Sequence, residues 1–183
     1  MLICQAEKIR KSCFKPDSIV GVSRGGSIPA RVLSDLLENP NIANVRVEFY
    51  LDIAKTRKEP LLTQGVSADM VGKKVLIVDD VADTGKSLEL VEDYLRNQGA
   101  NEARVATLYY KPWSKVKPEY YEKETTHWIV FPWDVKETIR RINEKHAGKT
   151  ALIKNETTKL VKAGLPKSLA TRFQREITET RTC

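Results

Sequence analysis

The chain has no run of about 18 apolar residues, the length a membrane-crossing helix needs, and its mean hydropathy is -0.40, so no transmembrane span is expected. Cysteine and histidine are scarce, at three and two residues in 183. Cys4, Cys13 and Cys183 are widely spaced and none stands with His127 or His146 in a zinc-binding pattern, which argues against a thiolate metal site. An odd, dispersed set reads as free thiols in a reducing compartment. The first residues, Met1-Leu2-Ile3-Cys4-Gln5-Ala6-Glu7-Lys8, lack the basic-then-apolar pattern of a secretory leader, so a cytoplasmic address is expected. Internal repeats and low-complexity tracts are also missing.

What is there suits one ordinary domain: a hydrophobic content of 41% over 183 residues is enough for a real core. The net charge of +7 is unevenly spread. From residue 147 to the end, eight Lys or Arg face three Glu, giving +5 and leaving +2 for the first 146 residues. Such a basic segment suits phosphates, whether of a substrate or of a nucleic acid.

The apolar pattern alternates between strand and helix. Ser18 to Val22 is a short β-branched run, followed by Ser23-Arg24-Gly25-Gly26 and a helical stretch in which Val32, Leu33, Leu36 and Leu37 recur until Asn39-Pro40. Val45 to Leu51 alternates with period two, as a strand toward a sheet edge does. Asp52 to Val71 loses the pattern and reads as a mobile loop or an irregular hairpin, since a connection this long is uncommon unless functional. Val75 to Val78 is a continuous strand, Ser87 to Gln98 a helix closed by Gly99, Arg104 to Tyr110 and Trp128 to Phe131 further strands, and Val135 to Lys145 a helix. This order predicts an α/β fold, a mostly parallel twisted sheet flanked by helices. Beyond Gly148, apolar residues spaced for two short amphipathic helices are broken at Gly164-Leu165-Pro166. The expected division is 1–146 and a basic helical extension, 147–183.

The sharpest motif is Val75-Leu76-Ile77-Val78-Asp79-Asp80-Val81-Ala82-Asp83-Thr84-Gly85-Lys86-Ser87, a buried strand ending in two acids and passing through small polar residues into a helix. Amides of Ala82 to Ser87, the hydroxyls of Thr84 and Ser87 and the helix N-terminus can cradle a phosphate. Adjacent carboxylates outside the carboxyl end of a strand repel unless they accept hydroxyl donors or meet a cation. A purely structural turn, with Asp83 and Thr84 as helix caps, is the simpler alternative. A P-loop fits poorly, because Asp80 stands where that motif needs glycine. An acidic receiver strand lacks its downstream partners.

These thirteen residues resemble the phosphoribosyl pyrophosphate signature of the type I phosphoribosyltransferases, and the resemblance extends over about residues 3 to 146. It implies the type I fold, with Asp79 and Asp80 on the ribose hydroxyls, Ala82, Asp83, Thr84, Gly85, Lys86 and Ser87 around the 5-phosphate, and Asp83 as proton acceptor near N7 of a purine. Ser23-Arg24-Gly25-Gly26 is similar to the family's pyrophosphate loop, and Asp52 to Val71 to its flexible lid. Lys111-Pro112 and Trp128 to Asp134 resemble the hood, about residues 111–134, of xanthine-guanine and archaeal 6-oxopurine enzymes. Lys111 would donate to the 6-oxo group, Trp128 stack on the ring, Ile129 offer backbone groups, and Asp134 border the base. Trp113 and Trp133 read more simply as packing residues. Magnesium is the implied cofactor, held mainly through phosphoribosyl pyrophosphate with Asp79, Asp80 and Asp134 as candidate carboxylates. The resemblance thus implies purine salvage by a homodimer or homotetramer, with guanine, hypoxanthine or xanthine as acceptor. A regulator on the same fold, binding phosphoribosyl pyrophosphate and nucleic acid, is the alternative reading that the basic tail keeps open.

Overall fold

A computed structural model describes residues 1–51 and 58–179, and its contacts divide the chain into two compact units, Met1–Thr126 and His127–Cys183. This division falls earlier than the boundary expected at residue 146. No helix among the described residues is long and apolar enough to cross a membrane.

The first unit is built on six strands: β1 (Ser18–Ser23), β2 (Ile42–Leu51), β3 (Lys58–Gln64), β4 (Lys74–Ala82), β5 (Glu102–Tyr110) and β6 (Tyr120–Glu124). They lie in the order β3-β2-β1-β4-β5-β6, and every pair is parallel except β2 with β3. Three helices cover them: α1 (Leu2–Lys11), α2 (Ser27–Leu36) and α3 (Lys86–Asn97). The continuous apolar run of β4 follows from burial on both faces. Val75 and Ile77 join Leu88, Val91 and Leu95 of α3, while Leu76 and Val78 join Ala30 and Leu33 of α2. All four strand residues are fully buried.

Two elements differ from the sequence reading, and a third takes one of the two forms expected of it. Leu2–Lys11, for which no element was expected, is a helix whose last turn carries Lys8, Arg10 and Lys11, favourable to its dipole. Buried Gln5 ties it to the sheet, donating from Nε2 to the carbonyls of Thr107 (2.7 Å) and Tyr120 (3.1 Å). The expected strand at Trp128–Phe131 is irregular; the sixth strand is Tyr120–Glu124 instead. Its register with β5, Ala106 opposite Tyr120 and Tyr110 opposite Glu124, makes it a strand although two of its five residues at most are apolar. Part of the patternless Asp52–Val71 stretch is the antiparallel strand β3, so β2 and β3 form a hairpin; residues 52–57 of the expected lid lie outside the described residues.

The second unit holds α4 (Val135–Lys145), α5 (Thr150–Lys162) and α6 (Lys167–Glu179), with Val135, Ile139 and Ile177 as its core and Leu160, Leu165 and Phe173 packed around it. Asn143 and Gln174 exchange amide hydrogen bonds at 3.0 and 2.6 Å. Hydrogen bonds from Lys136 and Arg172 lower the Glu176 carboxyl to about 2. Part of the basic charge is therefore spent inside the unit, where Lys159 meets Glu156 and Arg172 meets Glu176.

Ile77→Ala should leave a cavity under α3 and cost about 2–5 kcal/mol, read as a lower urea midpoint with an unchanged slope.

Candidate active site

Chain direction decides where a site can form. The chain leaves β1 through α2 toward β2 on one side, and leaves β4 through α3 toward β5 on the other. Where adjacent parallel strands send their connections to opposite faces, a crevice opens outside their carboxyl ends. Here that crevice is a cleft of about 500 Å³ lined by Phe49 and by residues 79–88. A roomier hollow of about 670 Å³ lies at the opposite strand ends, among residues preceding β1, β2 and β4. Its position is not the one where strand ends and helix N-termini converge.

The turn after β1 is seated directly on the acids that end β4. A Cβ at Gly25 would fall on the Asp80 carboxylate, and one at Gly26 on the Val78 carbonyl oxygen, so any larger residue would push the turn away. Ser23 and Ser27 share a hydrogen bond of 3.0 Å across this turn, and the Ser23–Arg24 peptide is cis. Asp80 is buried at 8% exposure, whereas Asp79 is half-buried. Burial pushes the Asp79 carboxyl well above its ordinary 3.8, and the neighbouring Asp80 charge adds to the shift; amide hydrogen bonds from Asp80 and Gly26 oppose it. The Asp80 amide donates to Asp79 Oδ1 at 2.9 Å.

Beyond the acids, Asp83 and Thr84 are exposed and Gly85 turns the chain into α3 with φ of +78°, a left-handed conformation that favours glycine. A Cβ there would also stand 2.6 Å from the Val116 amide nitrogen. The first turn of α3 presents amides that have no acceptor within the helix, a favourable place for an anion. Lys86 reaches across to the hairpin, with Nζ 2.9 and 3.0 Å from the two Glu59 carboxylate oxygens.

A second loop, after β5, is pinned to this one. The Lys111 amide donates to the Ala82 carbonyl at 3.0 Å and the Lys115 amide to that of Thr84 at 3.1 Å. Between them, Trp113 donates from Nε1 to Asp83 Oδ1 at 3.1 Å. Lys111 is buried at 5% exposure with its Nζ 5.5 Å from the Trp113 ring centre. Asp79, Asp80, the 82–87 loop, the 23–26 turn and Lys111 are thus gathered in one unit. Trp128, Ile129 and Asp134 belong to the other: Trp128 is 73% exposed there, and Asp134 stands at the N-cap of α4. Trp133 stacks on Phe131 at 5.0 Å, the packing role expected of it. Trp113 is a correction, since its ring is 55% exposed and its N–H points at Asp83. Phe49 and Glu59 were also missed; no motif marks them, and the β2–β3 pairing alone brings them here.

Compared with known proteins, residues 5–140 match the family described as the phosphoribosyl transferase domain. The chain is 33% identical over 122 residues to xanthine-guanine phosphoribosyltransferase of Cereibacter sphaeroides, covering 64% of this chain and 69% of that one. It is 31% identical over 119 residues to hypoxanthine-guanine phosphoribosyltransferase of Saccharomyces cerevisiae, covering 56% and 54%. The crystal structure of a purine phosphoribosyltransferase from Pyrococcus horikoshii superimposes with a TM-score of 0.65 at 45% identity, covering 72% of this chain and 85% of that one.

A carboxyl whose folded pKa is raised costs stability while ionised; the cost fades as pH falls through the folded value and is gone below the unfolded one. Asp79→Asn should therefore raise the melting temperature of the unliganded protein at pH 7, and the two proteins should converge near pH 4. A variant that melts lower at pH 7 would show that hydrogen bonding, not charge, dominates at this position.

Proposed function

The chain belongs to the phosphoribosyl transferase domain family and is a purine phosphoribosyltransferase, and we propose that its acceptor is a 6-oxopurine and that the residues gathered at the strand switch carry the transfer. The observation that supports this reading most is the seating of the Gly25-Gly26 turn against the Asp79-Asp80 pair. It sets an amide-rich turn suited to a diphosphate beside carboxylates suited to a ribose diol, with a helix N-terminus for the 5-phosphate behind them.

In this reading, Asp79 and Asp80 accept hydrogen bonds from the ribose hydroxyls. Ala82 to Ser87 hold the 5-phosphate. Ser23, Arg24, Gly25 and Gly26 hold the pyrophosphate, and Arg24 shares the charge that develops as it leaves. N9 of the base forms a bond to the anomeric carbon as the bond from that carbon to the pyrophosphate oxygen breaks. The proton on N7 passes to Asp83, leaving the nucleotide neutral at the base. Lys111 donates to the 6-oxo oxygen.

Magnesium fits the donor set only in part. Among the described residues no cluster of three or more acidic, histidine or cysteine side chains is present, but Asp79 and Asp80 are adjacent at the cleft. Two carboxylates plus substrate oxygens and water is the coordination this ion accepts. Bound there, it would neutralise charge on the departing pyrophosphate. A homodimer or homotetramer in the cytoplasm belongs to the same reading; exposed Ile28 and Val32 on α2 offer apolar surface for it, and sedimentation would measure it.

The test is a steady-state assay with phosphoribosyl pyrophosphate, magnesium and each of guanine, hypoxanthine, xanthine, adenine, uracil and orotate. Turnover should appear with 6-oxopurines alone. Binding of phosphoribosyl pyrophosphate without turnover on any base would instead indicate a regulator. Lys111→Ala should lower kcat/KM for all 6-oxopurines by about 10-fold to 100-fold, the worth of a hydrogen bond from a charged donor. An equal loss with adenine would remove Lys111 from the 6-oxo contact.

A further inference from the structure

Asp83 poses a problem that its own loop does not solve. It is exposed, beyond the last residue of β4 and before the first turn of α3. A carboxylate that takes a proton in a transition state must be held within a fraction of an ångström of its place. Its side chain instead accepts a hydrogen bond from another loop, from the indole N–H of Trp113 at 3.1 Å.

That donor is itself fixed. Residues 111 and 115 hydrogen-bond to the carbonyls of Ala82 and Thr84, the two neighbours of Asp83, so residue 113 is carried to a set height beside residue 83. Two bonds inside the loop, Ser114 N to the Lys111 carbonyl at 2.9 Å and Ser114 Oγ to the Val116 carbonyl at 2.9 Å, hold its bend. Gly85 is required for the same contact, since a side chain there would meet Ser114, Lys115 and Val116. An indole is stiff, with two rotatable bonds, so ordering it costs little. Its face also carries Lys111, whose ammonium lies 5.5 Å from the ring centre.

We propose that Trp113 is a positioning residue: its N–H holds Asp83 Oδ1 and its ring spaces Asp83 from Lys111, so that the pair meets N7 and the 6-oxo oxygen of the base together. Those two atoms lie on one edge of a purine, so the two side chains that address them need a fixed separation. A carboxylate has two oxygens. With Oδ1 engaged by Trp113, Oδ2 is the one that takes the proton. Pyrimidines present no such edge, and adenine has an amino donor at position 6, which would face the Lys111 ammonium. This inference rests on the proposed role of Asp83.

The experiment is a double-mutant cycle of Trp113→Phe and Asp83→Ala, assayed for kcat and for KM of phosphoribosyl pyrophosphate. Trp113→Phe keeps a ring beside Lys111 and removes the N–H; at a half-exposed position it should leave the melting temperature unchanged. Expected are a fall in kcat of about 10-fold, the scale of a hydrogen bond to a charged group, a KM within about 2-fold of wild type, and no further fall in the Asp83→Ala background. The same loss in both backgrounds, or no loss in either, would overturn the role of Trp113. Wild-type turnover in the Asp83→Ala single variant is a different failure, which would remove Asp83 from the chemistry before Trp113 is considered.

Discussion

Two adjacent carboxylates at the end of a buried strand are the constraint around which the first unit is arranged. Val75 to Val78 are fully buried, and the chain emerges from them directly into Asp79 and Asp80. Placing like charges side by side in so dry a position is unfavourable, as the raised Asp79 carboxyl records. The surroundings moderate that cost through amides from Asp80 and Gly26 and through a glycine turn close enough to touch Asp80. In the proposed reading, a pair that awaits hydroxyl donors gains more from its ligand than one already satisfied. Binding energy and strain at rest are then two sides of one arrangement.

The loop after β5 is the second organising element. Its bonds to the Ala82 and Thr84 carbonyls satisfy backbone groups that would otherwise be exposed at the end of β4. They also bring Lys111 and Trp113 to Asp83 from a distant part of the chain. The hairpin of β2 and β3 adds a third side, because Glu59 pairs with Lys86 at the start of α3. That ion pair neutralises a lysine in the loop proposed to hold the 5-phosphate, where a bound phosphate would compete with Glu59 for it. An exposed pair of this kind is weak enough, about 0–1 kcal/mol, to be exchanged.

The basic tail is a folded element. Its helices bury Ile177 against Ile139 of α4, and two of its cations, Lys159 and Arg172, are held by Glu156 and Glu176. The +5 of this segment is already net of these glutamates, so it measures the charge left over for an outside anion.

The sequence alone carried the strand-loop-helix units at β1–α2 and β4–α3, because a glycine turn or an acidic pair after a β-branched run is a local signal. The two tail helices were legible for the same reason, as their apolar spacing and the Gly164-Leu165-Pro166 break are contained in the segment itself. What failed was non-local. Tyr120–Glu124 is a strand because β5 offers it a ladder, and Trp128–Phe131 is irregular although more apolar. Leu2–Lys11 is held by hydrogen bonds to residues more than a hundred positions away. Trp113 looked like packing because no spacing along the chain links positions 113 and 83. Local chemistry determined where an acidic pair, a glycine turn and a helix N-terminus stand along the chain. Only tertiary structure decided which loop would face Asp83, since that depends on two strand ends meeting side by side.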